Sequence, residues 1–236
     1  KPLGVGYALT VAIALAAQRK LQYFPTAEMP PHPRLYDPST YEAIEEHEVV
    51  AADGTRLQLW HWPAPADGEQ PRAWRYLGEA TAGSLLPLMR ELRAAHPNLR
   101  SLDVLQFHGN AGSRQHRLPF MHLLREGLGC SVTVVDYRGY GGSEGTPTER
   151  GLIQDGAAAY AWLRQRQRPA RSSGVGSASQ RRRPVLWGES IGSGVAVALL
   201  ADRGDGNAGA DAGANEGGQG GGDTQVASDG SILVLE

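Results

Sequence analysis

Short apolar runs alternate with helix-forming stretches from residue 102 onward, and this alternation restricts the fold more than any other feature of the chain. The runs LDVLQF (102–107), SVTVVDY (131–137) and RPVLWG (183–188) are largely apolar, as strands are when helices cover both faces of their sheet. Each run is followed by a stretch of helical character. This order predicts an α/β fold with a mostly parallel sheet, right-handed crossovers and flanking helices.

Further strands are predicted before and after these runs. The runs at 45–51 and 55–62 are joined by Asp53 and Gly54, a pair that is typical of a tight turn between antiparallel strands. The last six residues, SILVLE, form another apolar run. We therefore expect an antiparallel N-terminal hairpin, and a sheet that is C-terminally incomplete in this chain.

Composition restricts the partners and cofactors of the chain. Its 236 residues are 41% hydrophobic, which suits a single domain with a sizeable core. The 23 basic and 25 acidic residues leave a net charge of −2, so no nucleic-acid partner is predicted. Cys130 is the one cysteine, which excludes an internal disulfide or a cysteine-rich zinc site and favours a small buried side chain.

Two stretches, at about 165–183 and 203–230, are rich in Gly, Ser, Ala and charged residues. Such stretches bury too little apolar surface to offset the entropy lost on ordering, so disordered insertions are predicted there. The connection between the hairpin and the first parallel strand contains SLLPLMRELRAAH (84–96). Its apolar residues fall at helical spacing, which predicts a helix.

The first 20 residues form an apolar N-terminal segment. Residues 2–18 carry no charge, and Arg19 and Lys20 follow directly. We predict a single-pass membrane anchor, although the segment is somewhat shorter than the ~20 residues that span a bilayer. A secretory signal, with small residues at 14 and 16 spaced as in a cleavage site, would instead give a secreted protein; a core or interfacial helix is the third possibility. Residues 21–44 are proline-rich and predict an extended spacer.

The motif GESIG, Gly188 to Gly192, has the pattern G-x-S-x-G after a predicted strand and at the start of a predicted helix. In that setting the serine lies on a sharp turn that raises its hydroxyl above the sheet. Gly188 and Gly192 let the strand and helix backbones approach where a Cβ would collide. Ser190 is therefore the candidate catalytic nucleophile, and a glycine-rich turn without chemistry is the alternative.

A serine hydrolase also needs backbone N–H donors for the oxyanion that forms during the reaction. One predicted donor is Ile191, the residue after the nucleophile, and the other comes from the loop after an earlier strand. In QFHGNAGS (106–113), His108 and Gly109 open such a loop, and Asn110 is the predicted donor. Ala111 is the alternative if the register differs by one residue, and a simple glycine turn is the alternative without chemistry. No residues have metal-ligand spacing and no glycine-rich loop carries a phosphate-binding lysine, so no metal and no cofactor are predicted.

Four motifs in this order carry a family resemblance: FHGNAG, VVDYRGYGGSEGTPTE, GESIGSGVA and LVLE. They resemble the α/β-hydrolase superfamily and, within it, the bud-emergence (BEM) type of membrane-anchored serine hydrolase. HRLP (116–119) and LQYFP (21–25) point to the group of α/β-hydrolase domain protein thirteen. The resemblance covers 21–62 and 102–236 apart from the insertions, and implies that 45–236 is the N-terminal portion of an α/β-hydrolase domain.

The resemblance implies a membrane-associated enzyme, with an endomembrane as one location. Its expected activity is cleavage of ester, thioester or amide bonds, in small-molecule or lipid-like acyl substrates, through an acyl-enzyme intermediate. An inactive hydrolase-fold scaffold or binding protein is the alternative.

The resemblance also implies a catalytic Ser, Asp and His in that chain order, with Ser190 as the nucleophile. All seven histidines precede Ser190, so we expect the acid and the base beyond Glu236 and negligible activity from the chain as given. His108 is expected to shape the oxyanion loop. Asp136 is expected to pair with Arg138 or with a backbone loop rather than to serve as the catalytic acid.

Overall fold

The computed structural model describes residues 22–65, 102–167, 183–204, 224–226 and 232–235. The apolar segment 1–20, the helix predicted at 84–96 and most of the two predicted insertions lie outside these residues. Among the helices within the described ranges, none has the length and hydropathy needed to cross a bilayer.

Seven of the described strands form one mixed sheet. The nine described strands are β1 (Phe24–Pro25), β2 (Glu45–Val50), β3 (Arg56–Trp62), β4 (Leu102–Phe107), β5 (Ala111–Gly112), β6 (Ser131–Val135), β7 (Arg183–Gly188), β8 (Thr224–Val226) and β9 (Ile232–Leu235). The sheet order is β2-β3-β6-β4-β7-β9-β8. Strands β6, β4, β7 and β9 run parallel, whereas β2, β3 and β8 join antiparallel. The predicted mostly parallel sheet with an N-terminal hairpin is confirmed.

Of the four helices named next, the last three connect the parallel strands. The helices are α1 (Pro38–Tyr41), α2 (Leu118–Leu128), α3 (Glu149–Arg166) and α4 (Ile191–Gly204), with 3-10 turns at Pro33–Leu35 and Arg114–Arg117. Helix α3 begins where the Thr148 hydroxyl accepts a hydrogen bond from the Gly151 N–H at 3.0 Å. Helix α2 ends at Gly129, whose φ of 72° lies in the left-handed region that glycine tolerates. The stretch of helical character predicted after the run at 102–107 is thus a 3-10 turn followed by α2.

Each face of the sheet has its own core. Val104 and Trp187 pack on the face covered by α2, whereas Leu105 and Leu186 pack on the face covered by α3 and α4. Because both faces are buried, the parallel strands are apolar runs without strict alternation. Cys130 is buried in the first of these cores, as predicted.

The hairpin turns at the predicted place. Gly54 has a φ of 88°, and its N–H donates to the Ala51 carbonyl at 2.9 Å. The Asp53 carboxylate accepts a hydrogen bond from the Thr55 N–H at 3.2 Å, which closes the loop.

One strand lies where composition predicts disorder. Strand β8 falls inside the predicted 203–230 insertion and pairs antiparallel with β9 at the edge of the sheet. The prediction is therefore wrong for these three residues. Backbone N–H and C=O groups can pair with a neighbouring strand whatever the side chains are, so composition does not report this pairing.

A buried ion pair joins the loop after β6 to α3. The Asp155 carboxylate accepts hydrogen bonds from the Arg138 backbone N–H at 2.8 Å and from its guanidinium at 2.7 Å. The same guanidinium reaches Asp53 of the hairpin at 2.7 Å. Burial raises the pKa of Asp155 above its ordinary value, and the hydrogen bonds from Arg138 oppose that rise. This cluster connects three separate segments of the chain.

Replacing Asp155 with Ala should destabilise the fold strongly. The substitution removes one partner of a buried ion pair and leaves the Arg138 guanidinium short of acceptors, which typically costs about 3–5 kcal/mol. Urea denaturation of the full-length protein, followed by circular dichroism, measures the loss. As a control, Glu144→Gln at the exposed Arg56–Glu144 pair should leave the midpoint nearly unchanged. Equal shifts in the two variants would contradict the structural role assigned to Asp155.

Candidate active site

The turn between β7 and α4 holds the candidate nucleophile. Strand β7 ends at Gly188 and α4 begins at Ile191, so Glu189 and Ser190 alone make the turn. Ser190 has a φ of 53°, and it is the one non-glycine residue at positive φ in the described part of the chain. Serine reaches this left-handed region at a cost that the surrounding structure must offset. Ser190 is also exposed, so the sharp turn presents its side chain to solvent.

Both glycines of the motif are required by close backbone approaches. A Cβ on Gly188 would lie 2.5 Å from the Cα of Ser193, and a Cβ on Gly192 would overlap the Phe107 carbonyl group. Real Cβ atoms do not approach other atoms this closely. The turn therefore needs glycine on each side of the Glu189-Ser190-Ile191 segment, for the steric reason that the sequence pattern indicates.

The same turn is attached to the end of β4. The Glu189 N–H donates to the Phe107 carbonyl at 3.0 Å, and the Gly192 N–H donates to the Glu189 carbonyl at 2.9 Å. Loop 108–112 follows Phe107 directly. From β4 the chain crosses to β6 on one side, and from β7 it crosses to β9 on the other. Ligands of open α/β sheets bind where the crossovers diverge in this way, and Ser190 and loop 108–112 both lie there.

His108 lies inside the loop that it begins. Its ring is buried, and Nδ1 lies 2.8 Å from the Gly109 carbonyl oxygen. Because a carbonyl can only accept, Nδ1 carries the hydrogen. The ring packs against Tyr137 and Tyr140 with centroid separations of 4.5 and 5.3 Å. The imidazole therefore contacts the interior of the loop.

The side chain of Asn110 is hydrogen-bonded to the backbone of residues 22 and 24. Its Nδ2 donates to the Gln22 carbonyl at 2.6 Å, and its Oδ1 accepts from the Phe24 N–H at 3.3 Å. Strand β1 continues this contact by pairing in parallel with β5, Phe24 opposite Ala111. Sequence reasoning placed LQYFP in an extended spacer and missed its contact with the loop. No local pattern of residues 21–25 signals a pairing across some 86 positions.

Asp136 holds the base of the loop, and its predicted partner is corrected by the structure. Its carboxylate accepts hydrogen bonds from the Arg114 backbone N–H at 2.6 Å and from the Arg114 guanidinium. Arg138, the expected partner, pairs with Asp155 instead. The alternative expectation, that Asp136 binds a backbone loop, agrees with the bond to the Arg114 N–H. The His108 Nε2 lies 3.4 Å from the same carboxylate.

Arg114 is fully buried and is surrounded by acceptors. Its guanidinium donates to the Gly141 carbonyl at 2.6 Å and to Glu46 at 2.7 Å. It also lies over the Trp60 ring, 4.8 Å from the ring centroid. Pairing of Nη1 and Nη2 with these acceptors offsets much of the cost of burying the guanidinium. Gly141 must be glycine, because a Cβ there would overlap the Asp136 carboxylate.

A second ion pair bridges the two halves of the candidate site. The Glu189 carboxylate accepts a hydrogen bond from the Arg117 Nη2 at 2.9 Å, and it lies 2.8 Å from the Arg117 Nε. A Cβ on Gly109 would lie 2.9 Å from the Glu189 carboxylate. The residue before Ser190 thus lies against the loop that carries Asn110. Sequence reasoning missed this pair, since an arginine and a glutamate 72 positions apart give no local signal.

Histidines of the described residues occupy other places. His116 accepts a hydrogen bond from the Ser113 N–H at 3.1 Å, and His122 packs near Tyr41 and Trp62. His96 lies outside the described residues. Within the described ranges, no group of three or more His, Cys, Asp or Glu side chains is arranged to hold a metal ion.

Comparison with known proteins gives sequence relatives but no matching family model. The chain is 32% identical over 212 residues to the lysophosphatidylserine lipase ABHD12 of Danio rerio, which covers 86% of this chain and 48% of that protein. It is 35% identical over 127 residues to protein bem46 of Schizosaccharomyces pombe, which covers 54% of this chain and 38% of that protein. The chain thus spans about half the length of the curated relatives it matches, or less.

Solved structures with a similar fold include esterases. The esterase Pf2001 of Pyrococcus furiosus has a TM-score of 0.47 and 19% identity, over 76% of this chain and 53% of that chain. Brefeldin A esterase, a bacterial homologue of human hormone sensitive lipase, has a TM-score of 0.43 and 20% identity, over 84% of this chain and 45% of that chain. The sequence relatives and the observed sheet confirm the resemblance predicted from the motifs: this chain is a member of the α/β-hydrolase superfamily.

Proposed function

We propose that this chain carries the nucleophile and the oxyanion hole of a serine hydrolase acting on lipid-like acyl substrates. The observation that supports it most is the exposed Ser190 on a positive-φ turn, attached by hydrogen bond to the strand end from which loop 108–112 begins. A serine held in this way is poised for attack on a carbonyl carbon. Esters, thioesters and amides share that carbon.

The proposed reaction has two stages. The Ser190 Oγ bonds to the acyl carbon while its proton passes to a base, and the carbonyl oxygen becomes an oxyanion. The backbone N–H groups of Ile191 and Asn110, with Ala111 as the register alternative, stabilise that charge. The bond to the leaving group then breaks, and the leaving group departs with the proton. Water next attacks the acyl-serine ester and releases the acid.

The same proposal needs a base and an acid, which the family resemblance implies as a His and an Asp that follow Ser190 in the chain. That His108 and Gly109 shape the oxyanion loop remains a prediction. The closeness of the chain to the group of α/β-hydrolase domain protein thirteen does too. So does negligible activity of residues 1–236 alone, because loss of a triad member typically forfeits ~10⁴-fold or more in kcat.

A lipid-like substrate is supported by the short stretch of chain between the apolar residues 2–18 and Gln22. Gln22, which binds Asn110, follows the apolar residues 2–18 after only Arg19, Lys20 and Leu21. The four Cα-to-Cα steps from residue 18 to residue 22 span at most about 14 Å. If residues 1–20 anchor the protein, the candidate site lies close to the membrane surface. The lipase name of the ABHD12 relative agrees with such a substrate.

An inactive scaffold is the second candidate function. It is favoured by the two histidines of the nearby loop and 3-10 turn, since His108 lies against the Gly109 carbonyl and His116 binds the Ser113 N–H. An activated serine distinguishes the two functions.

Ser190→Ala should abolish labelling of the full-length protein by a fluorophosphonate probe, because the probe reacts with an activated serine hydroxyl. Labelling is measured by in-gel fluorescence. Ser39→Ala, whose hydroxyl binds Asp37 outside the candidate site, is the control and should label like the wild type. Equal labelling of wild type and Ser190→Ala would refute the nucleophile, and no labelling of the wild type would favour the scaffold.

Arg117 and Glu189 should act as a unit. Each single alanine substitution breaks the pair that joins the loop to the Ser190 turn, so each should lower kcat/KM for an ester substrate. The double variant should lose little more than either single variant, with a coupling energy of about 0.5–3 kcal/mol. Arg166→Ala, at the pair with Glu45 on the remote side of α3, should leave kcat/KM unchanged. Strictly additive losses at residues 117 and 189 would contradict the bridge.

A further inference from the structure

The orientation of the Asn110 side chain is determined by its partners. Nδ2 faces the Gln22 carbonyl, which only accepts, and Oδ1 faces the Phe24 N–H, which only donates. A flipped amide would place oxygen against oxygen and N–H against N–H. The side chain is therefore held in one orientation by two backbone groups of the N-terminal segment.

Residues 22–27 are themselves hydrogen-bonded to two loops. Strand β1 pairs with β5, so Phe24 and Pro25 lie opposite Ala111 and Gly112. Beyond β1, the Thr26 carbonyl accepts from the Gly141 N–H at 2.7 Å, and the Ala27 carbonyl accepts from the Gly142 N–H at 3.1 Å. Residues 22–27, here called the N-terminal brace, thus connect loop 108–112 to loop 139–145.

Tyr140 fixes Asn110 from the opposite side. Its hydroxyl lies 3.0 Å from the Asn110 backbone carbonyl and 3.1 Å from Oδ1. Burial raises the pKa of Tyr140 to about 12, so the hydroxyl keeps its hydrogen and stays a donor at neutral pH. The Asn110 carbonyl and the Ala111 N–H belong to one peptide group, so the Tyr140 hydroxyl limits the rotation of that group. The side-chain bonds to residues 22 and 24 hold the Asn110 Cα, to which both neighbouring peptide groups are joined.

We propose that the N-terminal brace and Tyr140 are positioning elements of the oxyanion hole: they hold the side chain and the carbonyl of Asn110, and so keep the loop backbone in the conformation that points the N–H of Asn110, or of Ala111 in the alternative register, at the developing oxyanion. The inference rests on the proposed function and deepens it. The brace follows the apolar segment directly, so the part of the chain predicted to enter the membrane is continuous with the part that aligns the oxyanion donor. Catalysis then depends on how the chain is held just after its predicted anchor.

Paired ester and thionoester substrates test this proposal in the full-length protein. A thiocarbonyl sulfur accepts hydrogen bonds weakly, so it gains less from oxyanion donors than a carbonyl oxygen does. Asn110→Asp keeps Oδ1 but sets an oxygen against the Gln22 carbonyl. We expect kcat for the ester to fall by up to about 10²-fold with KM little changed. Turnover of the thionoester should fall much less, so the ester preference should shrink.

Tyr140→Phe is the second variant, since it removes one hydroxyl and keeps the ring. It should lower kcat and the ester preference in the same direction. Ser39→Ala is the control, because its hydroxyl binds Asp37 elsewhere in the N-terminal segment; kcat and the ester preference should stay unchanged. Thermal unfolding confirms that each variant is folded, and if Asn110→Asp does not fold, Tyr140→Phe decides alone.

Two failures are distinguishable. Ester turnover that survives Ser190→Ala would refute the proposed function. Inactive Ser190→Ala would leave the proposed function standing. If the folded Asn110→Asp and Tyr140→Phe variants then keep the wild-type ester preference, or differ from the wild type only in KM, the positioning role alone is wrong.

Discussion

The approach of the Ser190 turn to the end of β4 determines the geometry of the candidate site. Gly192 lies so close to the Phe107 carbonyl that a side chain there would overlap it, and the Glu189 N–H is hydrogen-bonded to the same carbonyl. This contact places a serine at positive φ next to the first residue of loop 108–112. Without it, the nucleophile and the candidate oxyanion donor Asn110 would belong to two independent loops.

Around this contact, ionic and polar groups secure the loop from below and from the rim. Below it, the buried Arg114 and Asp136 pair through both backbone and side chain. At the rim, Arg117 binds Glu189. Burying charges costs free energy even when they are paired, so we infer that these ion pairs serve to fix one loop conformation. Preset donors of this kind provide much of the stabilisation of a reaction's transition state.

The features that were predictable from the sequence are those with local signals. Apolar runs followed by helical stretches predicted the parallel sheet, Asp53-Gly54 predicted the hairpin, and the glycines around Ser190 predicted the sharp turn. Partner choice was not predictable in the same way. Asp136 binds Arg114 rather than Arg138, because Arg138 is paired with Asp155 of α3. The brace and the Arg117–Glu189 pair depend on contacts between distant segments, which no local pattern reports.

The most direct test of the account is a crystal structure of the full-length protein after reaction with a fluorophosphonate. The account predicts phosphorus bonded to the Ser190 Oγ, with the phosphoryl oxygen about 2.7–3.1 Å from the backbone nitrogens of Ile191 and Asn110. It also predicts that Asn110 keeps its hydrogen bond to Gln22. A phosphoryl oxygen turned toward solvent, or lying more than about 4 Å from both amides, would contradict the central claim.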